Sequence, residues 1–104
     1  MNKIESLIAV IKENKKKDPV QSYTAKLFEK GLEEIQKKFG EESIELIIAA
    51  SAKDKEKVIY EASDVIYHFL VLLEKLDVSF EDVLNELEKR TVTSGIEEKK
   101  NRNR

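Results

Sequence analysis

The stretch Glu41-Glu42-Ser43-Ile44-Glu45 lies inside a run with helical spacing: Ile35, Phe39, Leu46 and Ala49 share one stripe, and Glu42 falls in the middle of it. A stripe that faces a core asks for apolar groups at every step, so a carboxylate at Glu42 needs a reason to be there. Glu45, three residues on, shares its face. A second stripe with the same spacing follows at Val58, Ala62, Val65, Phe69, Leu72 and Leu76, flanked by Glu61 and Asp64. Two helices thus each aim a pair of carboxylates at a shared interior. Such groups cannot all stay ionised in a dry core without a positive partner. A hard divalent cation is the natural one. The competing reading is a solvated acidic face, the usual fate of charge runs. The place of Glu42 on the core stripe weakens it.

Around these two stripes the rest of the chain also reads as helix. Ile4, Leu7, Ile8 and Ile11 predict a short amphipathic helix from about Ile4 to Lys15. It ends at Lys15-Lys16-Lys17-Asp18-Pro19, because the residue before proline is pushed out of the helical region. Ser22 or Thr24 is a candidate cap for a piece from Ala25 to Lys30 that stops near Gly31. The two acidic helices are expected at Leu32 to Ala52 and, capped by Asp54, at Lys55 to Leu76. Gly40, inside the first, costs about 1 kcal/mol relative to alanine. It marks either close approach by a backbone or ligand, or simple tolerance. Val65 to Leu73 is apolar almost all round, so a second subunit is expected to cover it. Ser79 and Asp82 resemble a capping box that opens a last helix through about Lys89, with Val83, Leu84 and Leu87 as its buried face. From Thr91 the chain is polar, with a turn at Ser94-Gly95. The expected fold is one domain, residues 1–104, all-α: an antiparallel bundle of four to five helices, assembling as a homodimer.

Composition narrows the function. Charged residues are 38% of the 104, nearly balanced at a formal net charge of −2, which argues against binding nucleic acid by bulk electrostatics. There is no cysteine, hence no disulfide, zinc finger or thiol chemistry. No apolar run approaches a membrane span and no signal peptide opens the chain, so a soluble, cytoplasmic protein is expected. An all-carboxylate ligand set fits magnesium, manganese or calcium. A di-iron bundle would want Glu-x-x-His on two helices, but Val65 stands three residues before the sole His68. A carboxylate-held magnesium suits hydrolysis of a phosphoric anhydride. No P-loop is present. His68 shares a stripe with Glu61 and Asp64, placed to orient a carboxylate or to meet a phosphate. The alternative is a hydrogen-bonded histidine at the core margin. Tyr67 reads as packing. Lys38 flanks the acidic cluster and is a candidate phosphate holder, or else an exposed lysine. Ser22, Tyr23 and Thr24 are candidate hydroxyl donors to a substrate.

Three segments, Ser22-Tyr23-Thr24-Ala25-Lys26-Leu27, Lys38-Phe39-Gly40-Glu41-Glu42-Ser43-Ile44-Glu45 and Glu61-Ala62-Ser63-Asp64-Val65-Ile66-Tyr67-His68, together resemble the phosphoribosyl-ATP pyrophosphohydrolase family. The ending Ser94-Gly95-Ile96-Glu97-Glu98-Lys99 is similar too. Glu-x-x-Glu followed by Glu-x-x-Asp is shared more widely by MazG-like all-α pyrophosphatases; the Ser-Tyr-Thr segment and the Tyr-His pair resemble the histidine-pathway branch. Ser63 stands where the family often has alanine, and Phe39 where it often has valine. The resemblance implies magnesium-dependent hydrolysis of 1-(5-phosphoribosyl)-ATP to 1-(5-phosphoribosyl)-AMP and pyrophosphate. It puts Glu42, Glu45, Glu61 and Asp64 at metal-ligand positions, with manganese as a possible substitute ion. It makes Glu41, with Glu42 and Glu45, a catalytic candidate. Two other classes stay open: a sister pyrophosphatase cleansing non-standard nucleotides, and a non-enzymatic helical interaction module.

Overall fold

The computed structural model describes residues 2–92 and residue 102. The expected turn at Ser94-Gly95 and the similar ending around it lie outside the described residues. Five helices follow one another: α1 (Lys3–Asn14), α2 (Tyr23–Lys30), α3 (Leu32–Ala52), α4 (Lys55–Lys75) and α5 (Phe80–Val92). Among the described residues there is no strand.

Local chemistry sets most of the boundaries. Asn2 opens α1 with a reciprocal capping box: its side chain accepts from the Glu5 amide at 2.8 Å, and Glu5 reaches back to the Asn2 amide at 3.4 Å. Asn-x-x-Glu is the sequence signature of this box. Ser22 rather than Thr24 caps α2, accepting from the Ala25 amide at 3.1 Å, so α2 begins two residues before the expected Ala25. Gly31 joins α2 to α3 with φ at +99°, a conformation that side chains resist. Lys53 turns α3 back in the left-handed region, and Asp54 then caps α4 by accepting from Lys57 at 3.3 Å. Ser79 accepts from the Asp82 amide at 3.3 Å, one half of the expected box, and α5 runs on to Val92.

The α3–α4 hairpin is the main packing contact. Its antiparallel register is marked by Phe39 and Phe69, whose ring centroids lie 6.1 Å apart. The core beside it gathers Ile11 of α1, Leu27 of α2, Ile35 of α3, and Leu70 and Val71 of α4. Each such aliphatic group, fully buried, contributes about 1.5–3 kcal/mol. Two expectations need correction here. The apolar half of α4 is largely covered within the protomer, since α1, α2 and α3 bury His68, Leu70 and Val71 and leave Ile66 as its one clearly exposed large apolar residue between Val65 and Leu73. The stripe on α5 is not buried: Val83 is half-buried, while Leu84 and Leu87 are 42% and 53% exposed. Only Phe80 packs well, edge-on to Phe69 at 6.4 Å. Spacing tells which face of a helix is apolar, but not what that face meets.

Further uncovered apolar surface lies on the α3–α4 hairpin. Ile44, Ile47 and Ile48 of α3 and Ile59, Tyr60 and Ile66 of α4 are all exposed. The register that pairs Phe39 with Phe69 sets Ile48 level with Ile59. The radius of gyration, 16.2 Å, exceeds the ~13 Å of a compact domain of this length. Gly40 is exposed, and a Cβ there would meet nothing within 4 Å. Within the protomer it is therefore simply tolerated.

A charged clamp ties α1 to the far end of α4. Glu74 accepts from Lys12 at 2.7 Å and from Lys15 at 2.6 Å. Partial burial alone would raise its carboxyl, but the two lysine hydrogen bonds outweigh this and hold it below its usual value. Its stabilising contribution is full above the unfolded carboxylate value and is lost as pH falls through the lower folded one. Glu74→Gln is expected to cost about 1 kcal/mol at neutral pH, since the lysines are partly exposed. It should also flatten the acid limb of a urea-stability profile measured against pH.

Candidate functional site

The seam between α3 and α4 carries the acidic groups. Glu42, Glu61 and Asp64 are half-buried, and each offers a carboxylate oxygen within 4.8 Å of the others. The register explains this: the turn that carries Glu42 faces the turn that carries Glu61 and Asp64, one step along from the Phe39–Phe69 pair. Partial desolvation pushes the Glu61 carboxyl up, and the charges of Asp64, Glu42 and Glu45 push it further. Glu45 is exposed and stands outside the close trio, yet its charge reaches Glu61. Glu41 is exposed and turned toward Lys38, whose Nζ lies 3.6 Å from its Oε1. An all-oxygen donor set with clustered negative charge suits a hard divalent cation.

Behind the trio, two adjacent residues of α2 are tied to two adjacent residues of α4. His68 is buried, and its Nδ1 lies 2.7 Å from the Asp64 carbonyl oxygen. A carbonyl only accepts, so Nδ1 carries the proton. In the neutral ring Nε2 is then an acceptor, and the Tyr23 hydroxyl donates to it at 3.1 Å. The hydroxyls of Thr24 and Tyr67 hydrogen-bond to each other. The Tyr23 and Tyr67 rings stack, with centroids 6.1 Å apart and planes at 29°. Burial raises the Tyr23 phenol, as do the charges of Tyr67, Glu42, Glu34 and Asp64, so it remains a proton donor at neutral pH. Ser22 is buried as well: its hydroxyl donates to the Asn14 carbonyl at 2.9 Å while capping α2.

These contacts change the reading of the hydroxyl row. Ser22 and Thr24, expected to donate to a substrate, are buried and committed inside the protein, where they fix the start of α2. The Tyr23 hydroxyl is likewise taken. Tyr67 does more than pack, since it holds Thr24. The signal for it was the adjacency of Tyr23-Thr24 on one helix and Tyr67-His68 on another. Among the described residues no buried side-chain polar atom lacks a partner. A cavity of about 560 Å³ lies away from the carboxylates, between α1, the end of α4 and the start of α5. The acidic trio itself is half-buried. No helix among the described residues is long and apolar enough to cross a membrane.

Comparison with known proteins adds independent information. The family profile for phosphoribosyl-ATP pyrophosphohydrolase matches residues 4–91. A protein of Rhodobacter capsulatus named phosphoribosyl-ATP pyrophosphatase is 50% identical over 99 residues, covering 95% of this chain and 96% of its own. A protein of the same name from Ruegeria pomeroyi is 50% identical over 99 residues, covering 95% and 94%. One from Jannaschia sp. is 46% identical over 102 residues, covering 98% and 100%.

The raised Glu61 carboxyl has a measurable consequence. A carboxyl whose folded value lies above its unfolded value weakens the folded state as pH rises through that interval. In metal-free buffer, Glu61→Gln is expected to raise Tm near neutral pH and to leave it unchanged in acid, where the native carboxyl is already protonated. Thermal melts at both pH values check this.

Proposed function

The chain belongs to the phosphoribosyl-ATP pyrophosphohydrolase family, and from that premise we propose how its acidic hairpin performs the reaction. The protein is a hydrolase of a phosphoric anhydride in histidine biosynthesis. It converts 1-(5-phosphoribosyl)-ATP and water to 1-(5-phosphoribosyl)-AMP and pyrophosphate. The observation that carries the site assignment is the convergence of Glu42, Glu61 and Asp64 to within 4.8 Å. These three would hold magnesium, or manganese in its place, with Glu45 supplying a fourth carboxylate from the rim. When bound, the cation neutralises phosphate oxygens and lowers the pKa of a coordinated water.

The chain's own residues do the rest. Glu42, Glu61 and Asp64 would hold the cation at the seam, and its charge would offset their repulsion of the triphosphate end of the substrate. Glu41, exposed beside the trio, is the carboxylate placed to accept the proton of the attacking water once Lys38 leaves it. Lys38 exchanges its Glu41 partner for a phosphate oxygen as the leaving pyrophosphate gathers charge. His68 steadies the Asp64 turn from behind rather than meeting the substrate, because both its nitrogens are engaged. A cytoplasmic location suits this metabolic role.

The working form we infer is a homodimer. Six exposed apolar residues on the hairpin are more than a stable monomer usually leaves uncovered, and the extended shape agrees. Ile48→Glu is expected to shift light scattering toward the monomer mass. A wild-type protein that is monomeric at every concentration would remove the dimer. For the site, the comparison is Glu42→Gln and Asp64→Asn against the exposed Glu88→Gln. The first two should lose magnesium affinity and release pyrophosphate slower by orders of magnitude while still folding. Glu88→Gln should keep its rate, with stability within roughly 0.5 kcal/mol. Equal activity in all three would sink the assignment.

A further inference from the structure

Tyr23 is 48% exposed although its hydroxyl is bonded to a histidine that is only 4% exposed. The ring cannot turn freely. Its hydroxyl is held by His68 at 3.1 Å, one face is backed by Tyr67 at 6.1 Å, and the His68 ring meets it edge-on at 5.8 Å. Tyr67 is in turn held by Thr24. What remains for solvent is an aromatic face of fixed orientation with no free polar group. It sits within electrostatic reach of Glu42 and Asp64. Such a plate suits a flat, uncharged ring, and because it is already ordered, little rotamer entropy is lost when a ring lands on it.

We propose that Tyr23 is a base-stacking residue whose open face receives the purine of a nucleotide with its phosphates at Glu42, Glu61 and Asp64. The proposal rests on the metal-site reading for the phosphate end and adds the recognition of the base. It replaces the role of hydroxyl donor that the sequence suggested. Stacking is indifferent to the edge of the base, so this residue selects for an aromatic base and not for adenine over guanine.

The test compares two ligands that share a phosphate chain but differ in having a base. Equilibrium binding of ATP and of inorganic tripolyphosphate, each with magnesium, is measured on the wild type, Tyr23→Leu and Tyr23→Trp. Helical content and Tm are followed alongside. Loss of a stacked base is worth roughly a factor of ten or more. Tyr23→Leu should therefore weaken ATP by about that factor beyond any loss it shares with tripolyphosphate, which is the share of the His68 bond, and Tyr23→Trp should recover most of the base-dependent loss. With phosphoribosyl-ATP, Tyr23→Leu should raise KM far more than it lowers kcat. Equal weakening of both ligands would mean that Tyr23 only supports the fold at this point. That result overturns the proposal, as does unchanged ATP binding in Tyr23→Leu or failure of Tyr23→Trp to recover it. Base-dependent binding by a wild type that does not hydrolyse phosphoribosyl-ATP would support the stacking role and overturn only the assigned reaction.

Discussion

Everything in this protein depends on one seam, the antiparallel contact between α3 and α4. It forces like charges together. Left to themselves, Glu42, Glu61 and Asp64 would separate; the Glu61 carboxyl is raised by its desolvation in the seam first and by that repulsion second. What holds them is apolar packing on either side of the acidic turns. Phe39 and Phe69 meet on one side, and Ala49 is buried on the other. Ile35 and Val71, both without solvent exposure, anchor the seam to α1 and α2. The hydrophobic effect is non-directional and set by area, so it can fix a hairpin whose polar groups would rather not meet. The site exists because the stripe is apolar everywhere except where the charges are placed.

A second device keeps the seam from sliding. A helix hairpin held by aliphatic contacts alone tolerates small shifts along its axis. Here Tyr23 and Thr24 of α2 reach His68 and Tyr67 of α4. Two neighbouring bonds from neighbouring residues fix both position and rotation, which one bond would not. The His68 bond to the Asp64 carbonyl carries that restraint to the turn bearing Asp64. Ser22 and Gly31 frame the short helix that makes the reach. The Lys12–Glu74–Lys15 clamp works at the opposite end of α4 from the α3–α4 turn. The acidic turns therefore lie between fixed points on a helix that is held along its length.

Much of this was legible in the residue order, and the missed parts have a common cause. Helical spacing identified both acidic helices with their ends, because Gly31, Lys53-Asp54 and the stripes are local signals. It identified Glu42 as the odd residue in a core stripe, and with it Glu61 and Asp64. Spacing did not separate Glu45 from Glu42. Both lie near the seam, but only Glu42 turns into it, and a rotation of about 100° per residue is too coarse to decide for residues on a stripe's edge. It placed Leu84 and Leu87 inside because an apolar stripe implies a cover, while among the described residues nothing buries that stripe of α5. It sent Val65 to Leu73 toward a partner because coverage by α1 and α2 is a tertiary fact. The hydroxyls of Ser22 and Thr24 looked available because a sequence shows donors but not the acceptors already in reach.

The degree of burial at the acidic trio follows from the same constraint and bears on the chemistry. Fully exposed carboxylates are screened by water and hold a hard cation weakly. Fully buried ones would take up protons instead, since an unpaired charge in a low-dielectric interior shifts its pKa until it is neutral. Glu42, Glu61 and Asp64 lie between these limits, half-covered by the seam and open on one side. The Glu61 carboxyl is pushed up, by desolvation first and by its neighbours second. A cation held there would offset the neighbouring negative charge without requiring any residue to move out of a core. The open side is also where the exposed Glu41, Glu45 and the half-buried Lys38 stand, and where a triphosphate would have to arrive. The hairpin thus separates two demands: the apolar residues of its inner face set the distances, and the open edge of the same seam leaves the charges accessible.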